Sequence, residues 1–140
     1  MVLLALAVVA HFALGMPGMD HSTSNTSHDM SAHTAHRVVD PGAFEAALLD
    51  PATVTINVHV PSQDIGIDGT DLLIPFDQLD SARPPADRTT PLAVYCRSGA
   101  MSTIASQRLV ELGYTNVVEL DGGTDSWTAS GRAMADVYDD

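Results

Sequence analysis

The sequence predicts an α/β domain, a central parallel sheet flanked by helices in three layers. Two observations lead to it. Apolar runs of strand length alternate with segments of helical periodicity, and glycine or proline stands at most of the junctions. One run, Leu92-Ala93-Val94-Tyr95, carries no polar residue at alternate positions, as expected of a parallel strand buried on both faces. Strands that alternate with helices pair in parallel through crossover connections.

The elements follow in order. Arg37-Val38-Val39 reads as a short strand, and Asp40 caps a helix with Pro41 at its first position. Phe44, Ala47 and Leu48 share one face of that helix. Val54, Ile56 and Val58 then alternate with Thr53, Thr55 and Asn57, the signature of a strand. A Gly/Asp-rich loop leads to Ile74-Pro75, with a short helical turn predicted over Phe76 to Leu79 and a surface connection at Arg83-Pro84-Pro85-Ala86-Asp87. Leu92 to Tyr95 is the buried strand. The helix after it places Ile104, Ala105, Leu109 and Leu112 on one face, and Gly113 closes it. Asn116 to Leu120 is the next strand, and Gly122-Gly123 opens a final helix that contains Trp127.

This domain is expected over residues 37–140. Residues 1–15 are almost wholly Val, Leu, Ala and Phe, too short a stretch to span a bilayer comfortably. They fit the apolar region of a secretory signal with Ala13-Leu14-Gly15 as a cleavage site, although no Lys or Arg precedes Arg37. Export, or tethering to a membrane through this segment, is the expected setting, with a cytoplasmic one as the alternative. Residues 16–36 are polar and of low complexity, and read as a disordered tether. They also hold Met16, Met19, His21, His28, Met30, His33 and His36, thioether and imidazole donors that suit copper, so metal binding on this tail is the alternative reading.

The net charge of −12 comes from 18 acidic and 6 basic residues, every basic one an arginine. Such a surface repels phosphate backbones, which argues against a nucleic-acid partner. A single cysteine, Cys96, excludes an internal disulfide and leaves two readings, a small buried hydrophobe or a reactive thiol.

The segment Val94-Tyr95-Cys96-Arg97-Ser98-Gly99-Ala100-Met101-Ser102 decides between them. It joins the carboxyl end of a strand to the amino end of a helix, where open α/β sheets place their sites. A short loop there turns backbone N–H groups inward, and together with the helix dipole they form an anion-binding nest that favours a thiolate. Arg97 adds positive charge at the rim, and Gly99 lets the backbone curl tightly. Cys96 is therefore expected to be a nucleophile.

The loop resembles the rhodanese signature, in which Cys-Arg-x-Gly is followed by two residues and a Ser or Thr. The resemblance extends over the whole domain. Ile56-Asn57-Val58-His59 is similar to the family's Asp-Val-Arg strand end, and Gly69 to Phe76 is similar to its segment ending in Ile-Pro. Leu112 to Val117 and Asp121-Gly122-Gly123-Thr124-Asp125-Ser126-Trp127 match its last strand and its Gly-Gly-x-x-x-Trp helix. The resemblance implies a sulfurtransferase without metal or organic cofactor. Cys96 would carry a persulfide between a small-molecule donor, such as thiosulfate or a persulfide, and a thiol or cyanide acceptor. Residues 97–102 would form the substrate-binding loop and Asn57 would support it.

The sequence departs from the family at two places. The arginine often found five positions after the cysteine is Met101, which removes a cation suited to a sulfonate. The strand-end acid and base are Asn57 and His59, a paired loss that leaves no unmatched charge. A cysteine-dependent phosphatase would need an arginine at position 102 to clamp phosphate, and Ser102 stands there. The alternatives of another class are a non-enzymatic sulfane-sulfur or copper carrier using the tail, and a fold used only for protein contacts.

Overall fold

The computed structural model describes residues 35–137. The expectations for the apolar segment 1–15 and for the tail as far as residue 34 lie outside those residues, as do the last three positions. The strands are β1 (His36–Val39), β2 (Val54–Asn57), β3 (Ile65–Gly66), β4 (Leu72–Leu73), β5 (Leu92–Tyr95), β6 (Val117–Leu120) and β7 (Ala135–Asp136). The helices are α1 (Pro41–Leu48), α2 (Ala100–Glu111) and α3 (Gly123–Ala129). Five strands form one parallel sheet in the order β1-β6-β5-β2-β4, and β3 pairs antiparallel with β7 in a separate ribbon.

Strand alternation divides the core into two clusters. Leu92, Val94, Ile56, Val58 and Val117 face the side covered by Ala105 and Leu109 of α2. Ala93, Tyr95, Val118 and Leu120 face the side covered by Phe44 of α1 and Trp127 of α3. The sheet is thus the middle of three layers, and β5, fully buried along its length, is the apolar run that the sequence singles out. On the second face Phe44 is wholly buried and meets the rings of Tyr95 and Trp127 edge-on, with centroids 6.2 and 6.3 Å away. Asp40 caps α1 as expected, its Oδ1 accepting from the Ala43 N–H at 2.8 Å.

Three expectations are corrected. The domain begins before Arg37: His36 is the first residue of β1, in register with Val117, and its ring reaches Glu119. Residues 76–79 form successive turns instead of a helical turn, with the Gln78 N–H bonded to the Pro75 carbonyl. Ile104 is 53% exposed, because the inward stripe of α2 runs through Ser102, Ala105, Ser106 and Leu109. Position 104 lies nearly half a turn from the middle of that stripe, on the outward face, and two serines occupy places where an apolar pattern would expect aliphatics.

Candidate functional site: the Cys96 loop

Cys96 follows the last residue of β5, and α2 begins four residues later. Its sulfur is buried on the α2 side of the sheet, the side chain 1% exposed. The turn between them requires a left-handed residue, and Gly99 supplies it at φ 101° as the N-cap of α2. Glycine offers no side chain to cap the helix. The Cys96 sulfur takes that place instead. The Gly99 N–H lies 3.1 Å from Sγ and the Ser102 N–H 3.4 Å from it, with the Ser102 hydroxyl at 3.5 Å. Orphan amides at a helix start concentrate positive potential, so they favour a sulfur that carries negative charge.

The loop is held from below by α3. The Thr124 and Asp125 N–H groups donate to the Cys96 and Arg97 carbonyls at 2.9 and 3.0 Å. Such an approach leaves no room for a side chain at Gly123, where a Cβ would stand 2.4 Å from the Cys96 carbonyl oxygen. The Gly-Gly pair, which the sequence places at the opening of the last helix, is therefore also the contact that sets the loop's height.

The other predicted residues fall as follows. Arg97 is exposed at the rim, 3.6 Å from Asp125, so its charge is partly offset. Ser98 and Ala100 continue the loop into α2. Met101 is half-buried against the α2-side core, and its Sδ accepts from the Val60 N–H at 3.4 Å, tying the loop to the turn after β2. Asn57 is buried, as a supporting residue should be, but it lies on the wrong face to touch the loop. Its neighbours Ile56 and Val58 point toward α2 and Cys96, so Asn57 points toward the opposite layer. Its Oδ1 accepts from the His59 N–H at 3.0 Å. Burial raises the Tyr95 phenol above its ordinary value, against hydrogen bonds from Thr70, the Ile67 N–H and Asn57 that lower it. Asn57 thus serves the strand end, and none of the described hydrogen bonds links its side chain to residues 96–102. His36, grouped with the tail donors by sequence, has its Nε2 engaged 2.7 Å from Glu119.

Sequence reasoning missed Glu119. This carboxylate sits on β6, 2% exposed, between Val118 and Leu120. Its Oε1 accepts from the Ser102 hydroxyl at 3.0 Å and the Thr103 hydroxyl at 2.7 Å, and its Oε2 faces His36. Burial pushes its carboxyl up, yet the hydrogen bonds from His36, Thr103 and Ser102 outweigh burial and hold it below the usual carboxylate range. The available signal was a lone acid in an otherwise apolar strand, in step with Val117 and so facing α2.

Compared with known protein families, residues 56–130, more than half of the chain, match the family described as the rhodanese-like domain. A thiosulfate sulfurtransferase GlpE of Coxiella burnetii is 43% identical over 44 residues, which are 31% of this chain and 41% of that relative. The chain therefore spans under half the length of that curated relative. Among solved structures, a rhodanese-related protein from Thermoplasma volcanium superposes with a TM-score of 0.61 at 24% identity, covering 71% of this chain and 97% of its own. The Alr3790 protein from Anabaena superposes equally well at 25% identity, over 71% of this chain and 81% of its own. A Rhodopseudomonas palustris protein described as a possible tyrosine phosphatase also reaches a TM-score of 0.61, but at 18% identity it shares the fold alone.

Proposed function

The chain belongs to the rhodanese-like domain family, and on that premise we propose that it is a sulfurtransferase carrying sulfane sulfur as a persulfide on Cys96. The observation that carries this reading is the pair of backbone N–H groups, from Gly99 and Ser102, aimed at a buried sulfur at a helix start.

In the first half-reaction the Cys96 thiolate attacks the outer sulfur of the donor. A new S–S bond forms at Sγ, the donor's own bond to that sulfur breaks, and the electron pair leaves with sulfite or a thiolate. In the second, an acceptor thiolate or cyanide attacks the terminal sulfur and the pair returns to Cys96. The chain's part is to hold charge on sulfur with fixed dipoles, and covalent catalysis of this kind needs no cofactor. Residues 97–101, each at least partly exposed, line the approach. Only Arg97 among them is cationic, and Asp125 shares it, so the loop suits a persulfide donor, which has no sulfonate beside its outer sulfur, better than thiosulfate. The apolar segment at residues 1–15 supports an exported setting for this chemistry.

Steady-state kinetics tests the proposal. Thiosulfate with cyanide should give parallel double-reciprocal lines, and glutathione persulfide should give a higher kcat/KM than thiosulfate. Met101→Arg should lower KM for thiosulfate by roughly threefold to tenfold through one added ion pair, and KM for the persulfide donor should fall less. Absence of product with either donor would contradict the assignment.

A further inference from the structure

We propose that Glu119 is a positioning residue that disfavours charge on the Cys96 sulfur itself and so favours charge one bond farther out, on the transferred sulfur. The inference rests on the sulfurtransferase reading for its purpose, though not for its physics.

The hydrogens around Ser102 can be counted. Its hydroxyl has one, and three neighbours: Glu119 Oε1 at 3.0 Å, the Gly99 carbonyl at 3.1 Å and Cys96 Sγ at 3.5 Å. A carbonyl and an ionised carboxylate only accept, and the charged acceptor is the stronger. The Ser102 hydrogen is therefore drawn away from sulfur, and the oxygen presents lone pairs to it. A thiol S–H can donate to that oxygen, whereas a thiolate at Sγ meets a lone pair with a carboxylate directly behind it. Thr103 offers its hydroxyl to the same carboxylate oxygen and to the Gly99 carbonyl, so it does not screen the sulfur.

His36 does not cancel this effect. It approaches Oε2, while Ser102 and Thr103 hold Oε1. Whatever charge the imidazole carries lies on the far side, and the negative end of the pair faces Cys96. The hydrogen bonds that hold the carboxyl below its usual range keep it ionised at neutral pH. The groups that favour negative charge are the Gly99 and Ser102 N–H groups, which point at Sγ itself, and Arg97, exposed at the rim; Glu119 acts against them through the Ser102 hydroxyl.

Two sulfur states differ in where their charge sits. A thiolate holds it on Sγ, and a persulfide holds it on the terminal atom, about 2 Å farther out. Repulsion from Glu119 falls with distance, so the thiolate is penalised more. When an acceptor thiolate attacks the terminal sulfur, the S–S bond breaks and the electron pair moves inward onto Sγ, toward the carboxylate. Glu119 therefore opposes release and favours the loaded form, and it also lowers the reactivity of the unloaded thiol toward stray electrophiles.

The test is Glu119→Gln in the full chain, which keeps an acceptor for Ser102 and Thr103 but removes the charge. Iodoacetamide should alkylate Cys96 about fivefold faster in the variant at pH 7, the effect of removing one nearby like charge. At equilibrium with glutathione and its persulfide, the variant should retain less sulfur by a similar factor. An alkylation rate that is unchanged or slower would overturn the inference. If the variant does not fold, Glu119→Asp reads the same quantity, because it draws the charge back from Ser102, and it should also speed alkylation; no increase would overturn it. Alkylation needs no sulfur transfer, so this arm can fail while the enzyme still turns over, and can succeed in a chain that transfers nothing.

Discussion

Replacing Cys96 with serine should reduce sulfur transfer by at least about a thousandfold, the scale on which removing a covalent nucleophile acts. The fold should survive. A serine oxygen can accept from the Gly99 and Ser102 N–H groups that now point at sulfur, so α2 keeps its cap. The hydroxyl is scarcely ionised at neutral pH and cannot form a persulfide, so the chemistry stops at its first step. Thiocyanate production and a thermal melt check both halves. Substantial residual transfer by a folded Cys96→Ser protein would place the reaction elsewhere.

Gly123→Ala should damage stability and activity together, although it touches no substrate. The residue has φ 60°, and its Cβ would lie 2.4 Å from the Cys96 carbonyl oxygen and 2.5 Å from the carbonyl carbon and oxygen of Arg97. These are backbone atoms, so no side chain can swing aside. Relief requires α3 and the loop to separate, which loosens the Thr124 and Asp125 bonds to those same carbonyls. Strained φ and the forced shift together cost roughly 2–4 kcal/mol, a fall in Tm on the order of 10 °C or more for a domain of this size. Misplacing the sulfur relative to its amides should lower kcat/KM by about a hundredfold in the protein that remains folded. A melt and an assay on one preparation measure both. An unchanged Tm would show that the clamp is looser than its contacts indicate.

Much of this architecture was legible because its signals are local. Leu92 to Tyr95 and the Cys96 loop carry period and punctuation that fix a strand, a turn and a helix start without knowledge of the rest of the chain. Asp40 with Pro41 did the same for α1. The losses have specific causes. Ser102 and Ser106 occupy the inward stripe of α2, so apolar periodicity pointed to Ile104 instead. Asn57 was placed in the right strand, yet its support of the loop depended on which face it takes. Alternation puts Asn57 opposite Cys96, and a strand that is buried on both faces hides that parity. His36 looked like one more histidine of the tail because nothing local separates it from His33. Its place in the domain depends on Glu119, 83 residues away. Glu119 in turn has a role only once α2 brings Ser102 and Thr103 over it. Such long-range polar pairing leaves almost no trace in a single sequence.

The central claim, that Cys96 carries the transferred sulfur, is tested most directly by intact-protein mass spectrometry. The full chain, free of reductant, is incubated with glutathione persulfide or thiosulfate and then desalted. A gain of one sulfur atom, mapped to the peptide containing Cys96 and lost on addition of cyanide or a thiol, is the predicted result. A protein whose mass is unchanged by either donor, while its Cys96 remains alkylatable, would contradict the account.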